Sequence, residues 1–308
     1  MSKIEWTDKT WNVITGCTQI SPACDNCYAK AMTKRLQGMA KAEFKAQYPK
    51  NSVLQFNNSG SVIGLQFNGE DRALYPQSKK KLKYIQGWDK VVFHKESLND
   101  ILDKKKYQSG SKIFVNSMSD TFHMDISDDD LVELFSFMSQ RQDLVFQILT
   151  KRADRMLEFF NWYVPSYVIG EFADYFYEDM HKHIWFGVTA ENQEYVDKRI
   201  PKLLKLKDVV NEDIKCFVSI EPCLENIDLS AYIEYLDWVI LGGEKIPNNP
   251  NKSRPLKTEW AESIWNQCRK KDVPFFFKQW GNNVEESIKR EKYPEILEQQ
   301  RIVLDIKE

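Results

Sequence analysis

The chain has 308 residues, of which 42% are apolar and 29% charged, and its formal net charge at pH 7 is −2. Such a chain can bury one large hydrophobic core or two smaller ones. The near-neutral charge excludes a uniformly basic nucleic-acid binder, so any nucleic-acid site has to be a local basic patch. Residues 1–8 form no apolar signal region and no apolar run approaches the roughly 20 residues that cross a bilayer, so we expect a cytoplasmic protein without membrane association.

The first prominent feature is a group of three cysteines, Cys17, Cys24 and Cys27, with Tyr28 directly after the third. Thiolates are the ligands of iron–sulfur clusters, and four is their usual number. Three local cysteines would therefore leave one iron open for chemistry. Zinc is the alternative, because Cys-x2-Cys is a common zinc half-site. In that case His123 or His94 would supply a fourth ligand.

The other cysteines, Cys216, Cys223 and Cys268, are scattered through the second half of the chain. A long chain without a secretory signal favours free thiols in a reducing compartment over a disulfide framework. Cys216 lies in an apolar segment and Cys268 in a helical pattern, so both are predicted to be small buried side chains. Cys223 is expected to be inert, although it follows a predicted strand.

Residues 42–88 contain no clear strand–helix unit and are predicted to form an insertion. A near repeat of Leu-Gln-Phe-Asn at residues 54–57 and 65–68, with Gly60 between, predicts a small hairpin. The basic run 79–83 is interpreted either as a solvated face or as a phosphate-binding patch, with neighbouring aromatic residues able to stack on bases: Tyr75, Tyr84 and Trp88.

Short apolar segments rich in Val, Ile and Phe then recur, at residues 90–94, 113–117, 145–150, 184–189, 216–221, 238–243 and 275–279. Continuous hydrophobicity is typical of parallel strands covered on both faces. Helical spacing separates most of these segments, for example Leu131, Leu134, Phe135 and Met138 after a capping Ser127, or Trp260, Ile264 and Cys268 after Thr258.

With residues 12–16 as a first strand, this alternation predicts about eight βα units. We therefore expect an α/β fold with a (β/α) barrel of TIM-barrel type, complete or partly open. A doubly wound sheet is the alternative, but no Gly-x-Gly-x-x-Gly follows an early strand. The barrel is expected to be one domain over residues 1–281, with the cysteine loop at 12–29, and residues 282–308 a C-terminal helix or tail.

Polar residues end six successive predicted strands. In a parallel barrel the carboxyl ends of the strands meet at one mouth, where active sites lie. The residues expected there are Asn116, Ser117, Ser119 and Asp120; Thr150, Lys151 and Arg152; Thr189, Glu191 and Asn192; Ser219 and Glu221; Gly242, Gly243 and Glu244; and Lys278, Gln279 and Trp280. Some of these also serve as turn residues or helix caps, but as a set they favour a functional site.

The segment from Asn12 to Ala29 resembles the cluster loop of radical S-adenosylmethionine (SAM) enzymes, especially the branch around spore photoproduct lyase. The similarity lies in an Asn-x-x-x-Gly-Cys opening and a Cys-x-x-Cys-Tyr-Ala close. Most of that superfamily has three residues between the first two cysteines, whereas this chain has six. The chain is also similar to an uncharacterised three-cysteine family encoded by phages and prophages, through segments such as 114–120, 149–152, 187–192, 219–222 and 277–281.

The resemblance implies a [4Fe–4S] cluster on Cys17, Cys24 and Cys27, with SAM bound to the open iron. The residues that would hold SAM are Tyr28, Ser117, Ser119, Asp120, Thr189, Glu191, Asn192, Ser219, Glu221, Gly242 and Gly243. Those left for catalysis or substrate binding are Lys151, Arg152, His123, Glu244, Lys278, Gln279 and Trp280. Trp11 is expected in the core.

The resemblance further implies a radical SAM enzyme that generates a 5′-deoxyadenosyl radical, with a nucleic acid or nucleotide as its substrate for modification or repair. Flavodoxin or ferredoxin would be the electron donor, and a partner protein is a further possibility. The alternative function is a nucleic-acid- or partner-binding module that holds zinc or a closed cluster and has no catalytic activity. The pair Glu221 and Glu244 resembles that of barrel glycosidases, but such an enzyme would not use the cysteines.

Overall fold

The computed structural model describes residues 4–74, 82–167, 180–246 and 249–283. Its strands are β1 (Lys9–Trp11), β2 (Ile14–Thr15), β3 (Val53–Phe56), β4 (Val62–Phe67), β5 (Glu70–Arg72), β6 (Val92–Phe93), β7 (Lys112–Val115), β8 (Val145–Thr150), β9 (Ile184–Thr189), β10 (Lys215–Ile220), β11 (Trp238–Gly242) and β12 (Phe275–Gln279). Its α-helices are α1 (Tyr28–Gln47), α2 (Asp128–Ser139), α3 (Ala153–Tyr167), α4 (Met180–His183), α5 (Gln193–Leu204), α6 (Leu206–Val209) and α7 (Thr258–Lys270).

The main sheet has seven parallel strands in the order β1-β7-β8-β9-β10-β11-β12. Because each strand pairs with the next one along the chain, right-handed crossovers place the connecting helices on a single face. A doubly wound sheet would instead reverse its strand order partway. The predicted α/β fold with parallel strands is therefore confirmed, as a curled half-barrel compatible with a partly open (β/α) barrel.

Two predicted strands differ from those observed. The first strand of the sheet is β1, not residues 12–16, and the predicted strand at 90–94 lies outside the sheet, where β6 pairs antiparallel with β2. Asn116 explains where β1 ends. Its Oδ1 accepts hydrogen bonds of 2.9 Å from the N–H groups of both Val13 and Ile14, while its own backbone has φ 58°. These N–H groups are thereby satisfied without a further strand partner.

The two faces of the sheet are buried in different ways. The outer face packs against the helices in the large core, to which α2 contributes Leu131 and α7 contributes Ile264. The inner face carries an aromatic cluster, formed by Trp6, Phe114, Trp185, Phe217, Trp238 and Phe276. Gly187 is needed there, because a Cβ would lie 2.4 Å from the Phe217 ring. Burial on both faces accounts for the continuous apolar segments of the sequence.

The predicted hairpin in the insertion is confirmed. Strand β3 pairs antiparallel with β4, which pairs with β5, and this small sheet packs on α1 around Ala40 and Leu65. The basic run 79–83 lies partly outside the described residues, as does Tyr75. Lys83 is described, and it forms no part of a solvated face or phosphate patch: its Nζ donates to the Asn12 carbonyl and, at 3.2 Å, to Ser97 Oγ. Burial lowers the pKa of Lys83 to about 8.

In the described ranges no helix has both the length and the apolar character needed to cross a membrane. The predicted helices after Ser127 and near Thr258 are confirmed as α2 and α7, with Ser127 accepting a hydrogen bond from Asp130 N. The C-terminal helix or tail predicted at 282–308 lies almost wholly outside the described residues, because the structure describes only 282 and 283 of that range.

Candidate functional site at the carboxyl edge of the sheet

The cysteine loop lies over the carboxyl ends of the strands. Just before Cys17, Gly16 forms a parallel bridge with Ser119, which follows β7, and Ser119 Oγ donates to the Gly16 carbonyl. Only glycine fits at residue 16: φ is +81°, and a Cβ would lie 2.1 Å from the Lys90 carbonyl oxygen. The backbone therefore delivers Cys17 to the sheet edge in one defined place.

The three cysteines of the loop are free and half-buried. Cys24 ends a short 3-10 turn, and the N–H of Cys27 donates to the Cys24 carbonyl at 3.3 Å before α1 begins. Burial, assisted by the Asp120 carboxylate, raises the pKa of the Cys17 thiol to about 11, although Arg152 acts in the opposite direction. Cys17 is therefore a thiol at neutral pH, and a cysteine has to lose its proton to become a metal ligand.

Arg152, which follows β8, connects the sheet edge to the loop. Its Nη1 donates to Asp120 Oδ2 at 2.9 Å and lies 3.6 Å from Cys17 Sγ, and its Nη2 donates to the carbonyl and hydroxyl of Thr18 at 3.0 and 2.9 Å. Asp120 is held in turn by Thr150 Oγ1 at 2.6 Å and by the N–H of Lys151 at 3.1 Å. The predicted residues Asp120 and Arg152 are thus brought together as a nearly buried ion pair beside Cys17.

The two candidate histidines are both engaged. His123 Nδ1 accepts the N–H of Asp125 at 3.1 Å, and its Nε2 lies 2.8 Å from the Thr18 hydroxyl. His94 lies between the hydroxyls of Thr15 (2.8 Å, Nε2) and Ser61 (3.2 Å, Nδ1). Both ring nitrogens of each histidine therefore have a hydrogen-bond partner. His123 contacts Thr18 within the cysteine loop, and His94 contacts Thr15 just before it.

Glu191, after β9, holds the middle of the loop. It is fully buried, its Oε1 accepts the N–H of Ala23 at 3.1 Å, and its Oε2 pairs with Arg199 at 3.0 Å. Arg199 also donates to the carbonyl of Thr189 at 2.7 Å. Asn192 caps α5 by accepting the N–H of Tyr195. These predicted residues therefore support the loop and the helix that follows β9.

Arg254 holds the end of the loop and was not among the predicted residues. It pairs with Glu244, after β11, and reaches the Pro22 carbonyl at 2.9 Å and Asp25 at 3.2 Å. Burial favours the protonated form of Glu244, but the hydrogen bonds from Arg254 outweigh it and lower the pKa of that carboxyl. The sequence indicates Arg254 only by its position, as a basic residue 10 positions after Glu244 at the end of β11.

A third group of predicted residues faces Tyr28. Lys278 pairs with Glu221 at 2.9 Å, and the Ser219 hydroxyl donates to the same carboxylate at 3.3 Å. The Tyr28 hydroxyl donates to the Ser117 carbonyl at 2.7 Å. Burial of its hydroxyl raises the pKa of Tyr28, with smaller contributions from Cys27 and Glu221, although 42% of the residue is exposed. The hydrogen bond to Ser117 ties the start of α1 to the residues that follow β7.

The paired glycines after β11 are needed by the chain's own packing. A Cβ on Gly243 would lie 2.0 Å from the Trp280 carbonyl oxygen, and one on Gly242 would lie 2.5 Å from Glu221 Oε1. The amide of Gln279 donates to the Gly243 carbonyl at 3.3 Å. Trp280 packs its ring 4.8 Å from that of Phe277, and Trp11 is buried in the core as expected.

Asn12 ties the residues before the loop to the end of β7, a role at the site that no sequence pattern predicted. Its Oδ1 accepts the Ser117 hydroxyl at 3.1 Å and the N–H of Met118 at 3.2 Å. The cysteine loop is thus held by residues that follow β7, β8, β9 and β11. Polar residues that end separate strands meet around one loop.

The loop offers three free cysteines, with an arginine beside the first. Cysteine thiolates are the ligands of iron–sulfur clusters and of zinc, so these side chains are of the kind that such a metal group needs. Within the described ranges, however, no three Cys, His, Asp or Glu side chains already form a metal-binding group. The loop that carries the three cysteines is held by backbone hydrogen bonds at Gly16 and Ala23.

The model of one protein family, described as "Protein of unknown function (DUF5131)", matches residues 1–300. Comparison with curated proteins gives no match, and comparison with solved structures gives none.

Proposed function

The chain belongs to the DUF5131 family, and we propose that it is a radical SAM enzyme in which Cys17, Cys24 and Cys27 hold a [4Fe–4S] cluster. One observation carries this proposal. Residues from four separate strand ends converge on the cysteine loop, through Ser119, Arg152, Glu191 and the Glu244-bound Arg254. The carboxyl edge of parallel strands is also where barrel enzymes place their active sites.

When bound, such a cluster would supply the electron that cleaves the sulfur–C5′ bond of SAM into methionine and a 5′-deoxyadenosyl radical, which abstracts hydrogen from the substrate. The chain's own residues have other tasks. Arg152 places positive charge 3.6 Å from Cys17 Sγ, which favours the thiolate form that a metal requires. Because Arg152 is also paired with the buried Asp120, its guanidinium is held in place without a bound cofactor.

The group of Ser219, Glu221 and Lys278 is the proposed contact for the polar part of SAM. A carboxylate and an ammonium 2.9 Å apart can separate to bind an amino acid, whose own charges are opposite to theirs. Tyr28 directly follows the last of the three cysteines, and both Cys27 and Glu221 contribute to raising its pKa. A nucleic acid or nucleotide is the proposed substrate class, and flavodoxin or ferredoxin the proposed electron donor.

The test is anaerobic reconstitution with ferrous iron and sulfide, followed by measurement of iron and sulfide per chain, electron paramagnetic resonance after dithionite reduction, and an assay for 5′-deoxyadenosine with SAM. Wild type is expected to bind about four irons per chain and to form 5′-deoxyadenosine. The Cys17→Ala, Cys24→Ala and Cys27→Ala variants should lose both properties.

Cys268→Ala is the matched control, because Cys268 is a buried cysteine in the helix-side core, remote in sequence from the loop. It should keep the iron content and the product of the wild type. Stoichiometric zinc in wild type, with no capacity for a cluster, would overturn the proposal and favour the metal-binding module without catalysis.

A further inference from the structure

Helix α1 carries four lysines on one side: Lys30, Lys34, Lys41 and Lys45, here called the lysine stripe. Their spacings of four, seven and four residues place them within an arc of about 60°, at 100° per residue. At about 1.5 Å per residue, the stripe extends for roughly 22 Å along the helix. It begins three residues after Cys27, so it leads away from the cysteine loop.

The stripe is exposed, and in the described part of the chain none of its lysines forms an ion pair. The single acidic residue of α1, Glu43, is rotated away from the stripe and accepts a hydrogen bond from Gln47. Like charges four residues apart destabilise a helix by a few tenths of a kcal/mol per pair. A helix that served only to pack against the small sheet would gain from glutamates at these turns, so four lysines without an ion-pair partner among the described residues favour an anionic ligand.

A cleft of about 430 Å³ lies at the end of the stripe nearest the cysteine loop. Lys30 and Lys34 line one wall, and Cys27, Tyr28 and Trp88 line others. This volume falls in the range of small-molecule sites. Trp88 is half-buried and lines the cleft next to these residues. Basic, aromatic and cysteine residues therefore line one cleft.

We propose that this surface binds a single-stranded nucleic acid, with phosphates along the lysine stripe and one nucleotide in the cleft beside Cys27. The proposal rests on the proposed function, to which it adds the form of the substrate and its path to the cluster ligands. Lysine ammoniums bind phosphates as point charges. An indole ring stacks on a base of any sequence.

The linear arrangement favours a strand over an acidic protein. A phosphodiester backbone presents negative charge at regular intervals along a line, which matches lysines that repeat with the helical turn. Asp25 and Asp89 also line the cleft, and of these Asp25 is neutralised by Arg254 at 3.2 Å. The cleft admits one unstacked nucleotide, which a single strand supplies without the cost of opening a duplex.

The test measures binding of fluorescent 20-nucleotide single-stranded DNA and RNA by anisotropy at 50 and 200 mM salt. Four phosphate contacts on a single strand give a salt slope near −2.8, so wild type should lose about 50-fold in affinity over that range. Lys30→Ala, Lys34→Ala, Lys41→Ala and Lys45→Ala combined should abolish most of this salt dependence. Trp88→Ala should weaken binding roughly 5- to 150-fold, and Trp88→Phe much less.

The matched control replaces four exposed lysines elsewhere with alanine and so makes the same change in net charge: Lys104, Lys105, Lys205 and Lys270. It should leave affinity and salt slope unchanged. Equal weakening in both quadruple variants, or no weakening in the stripe variant, would overturn the proposal. So would wild-type binding of poly-L-glutamate as tight as that of DNA at the same salt, because the surface would then accept any polyanion, acidic proteins included.

Failure of this inference is distinguishable from failure of the proposed function, because binding is measured without a cluster. A protein with Cys17, Cys24 and Cys27 all changed to alanine should still bind the strand. Strand binding in a protein that assembles no cluster would support this inference and refute the enzyme. A cluster-containing protein without strand binding would refute this inference alone.

Discussion

Glu191→Gln tests how much the buried pair of Glu191 and Arg199, which supports the cysteine loop, contributes to the stability of the fold. The two side chains are 0% and 5% exposed and 3.0 Å apart. Glutamine has nearly the same shape, and its amide oxygen can still accept the N–H of Ala23. The substitution removes the negative charge and leaves the Arg199 guanidinium buried without a counter-charge.

The expected loss of stability follows from what Arg199 keeps. Breaking a buried ion pair by removing one partner costs about 3–5 kcal/mol. Arg199 retains the Thr189 carbonyl at 2.7 Å and the face of the Tyr195 ring at 3.9 Å, so we expect the lower end, about 3 kcal/mol. At about 2 °C per kcal/mol for a chain of this size, the melting temperature should fall by about 6 °C.

Urea unfolding, followed by circular dichroism, is the assay, and Glu194→Gln is its matched control. Glu194 pairs with Lys198 on the same helix, but both side chains are more than half exposed. That variant should lose less than about 0.5 kcal/mol. The double variant Glu191→Gln/Arg199→Met should recover about 2 kcal/mol of the loss, because no unpaired charge remains. An effect of Glu191→Gln no larger than that of the control would refute the reasoning.

Three further outcomes follow from the packing and titration of other residues. Gly243→Ala should lower the melting temperature and disorder the end of β12, because its Cβ would lie 2.0 Å from the Trp280 carbonyl; Gly38→Ala, at a helix site with nothing within 4 Å, should not. Trp238→Ala should cost about 3–5 kcal/mol in urea unfolding, since it empties the centre of the aromatic cluster. Burial lowers the pKa of His94, so this imidazole binds a proton more tightly in the unfolded chain than in the folded one. The stability that neutral His94 contributes is therefore complete above about pH 6.5 and declines as the pH falls below that value. His94→Gln should therefore reduce the drop in urea midpoint between pH 7 and pH 5, and an unchanged drop would contradict that assignment.

Local patterns in the sequence determined the parallel strands and several helices. Segments such as 145–150 and 184–189 are apolar throughout because both faces of the sheet are covered, and this signal needs no knowledge of the partner strand. The capped start of α2 is equally local, since Ser127 bonds to Asp130 three residues away. The parallel order of such strands then predicts that residues at their carboxyl ends meet at one edge, as Asp120 and Arg152 do.

Long-range contacts determined those parts of the fold and of the candidate site that no local sequence pattern predicts. Glu191 bonds to Ala23 across 168 residues, and Arg254 bonds to Pro22 across 232, so no local period indicates either contact. The place where β1 ends was likewise decided by Asn116, which satisfies backbone groups more than 100 residues earlier. Lys83, part of a basic run in sequence, is half-buried, and Asn12 and Ser97 accept hydrogen bonds from its ammonium group. Hydrophobic periodicity is a property of consecutive residues, whereas the partner of a charged or amide side chain depends on how the strands are registered in the folded sheet.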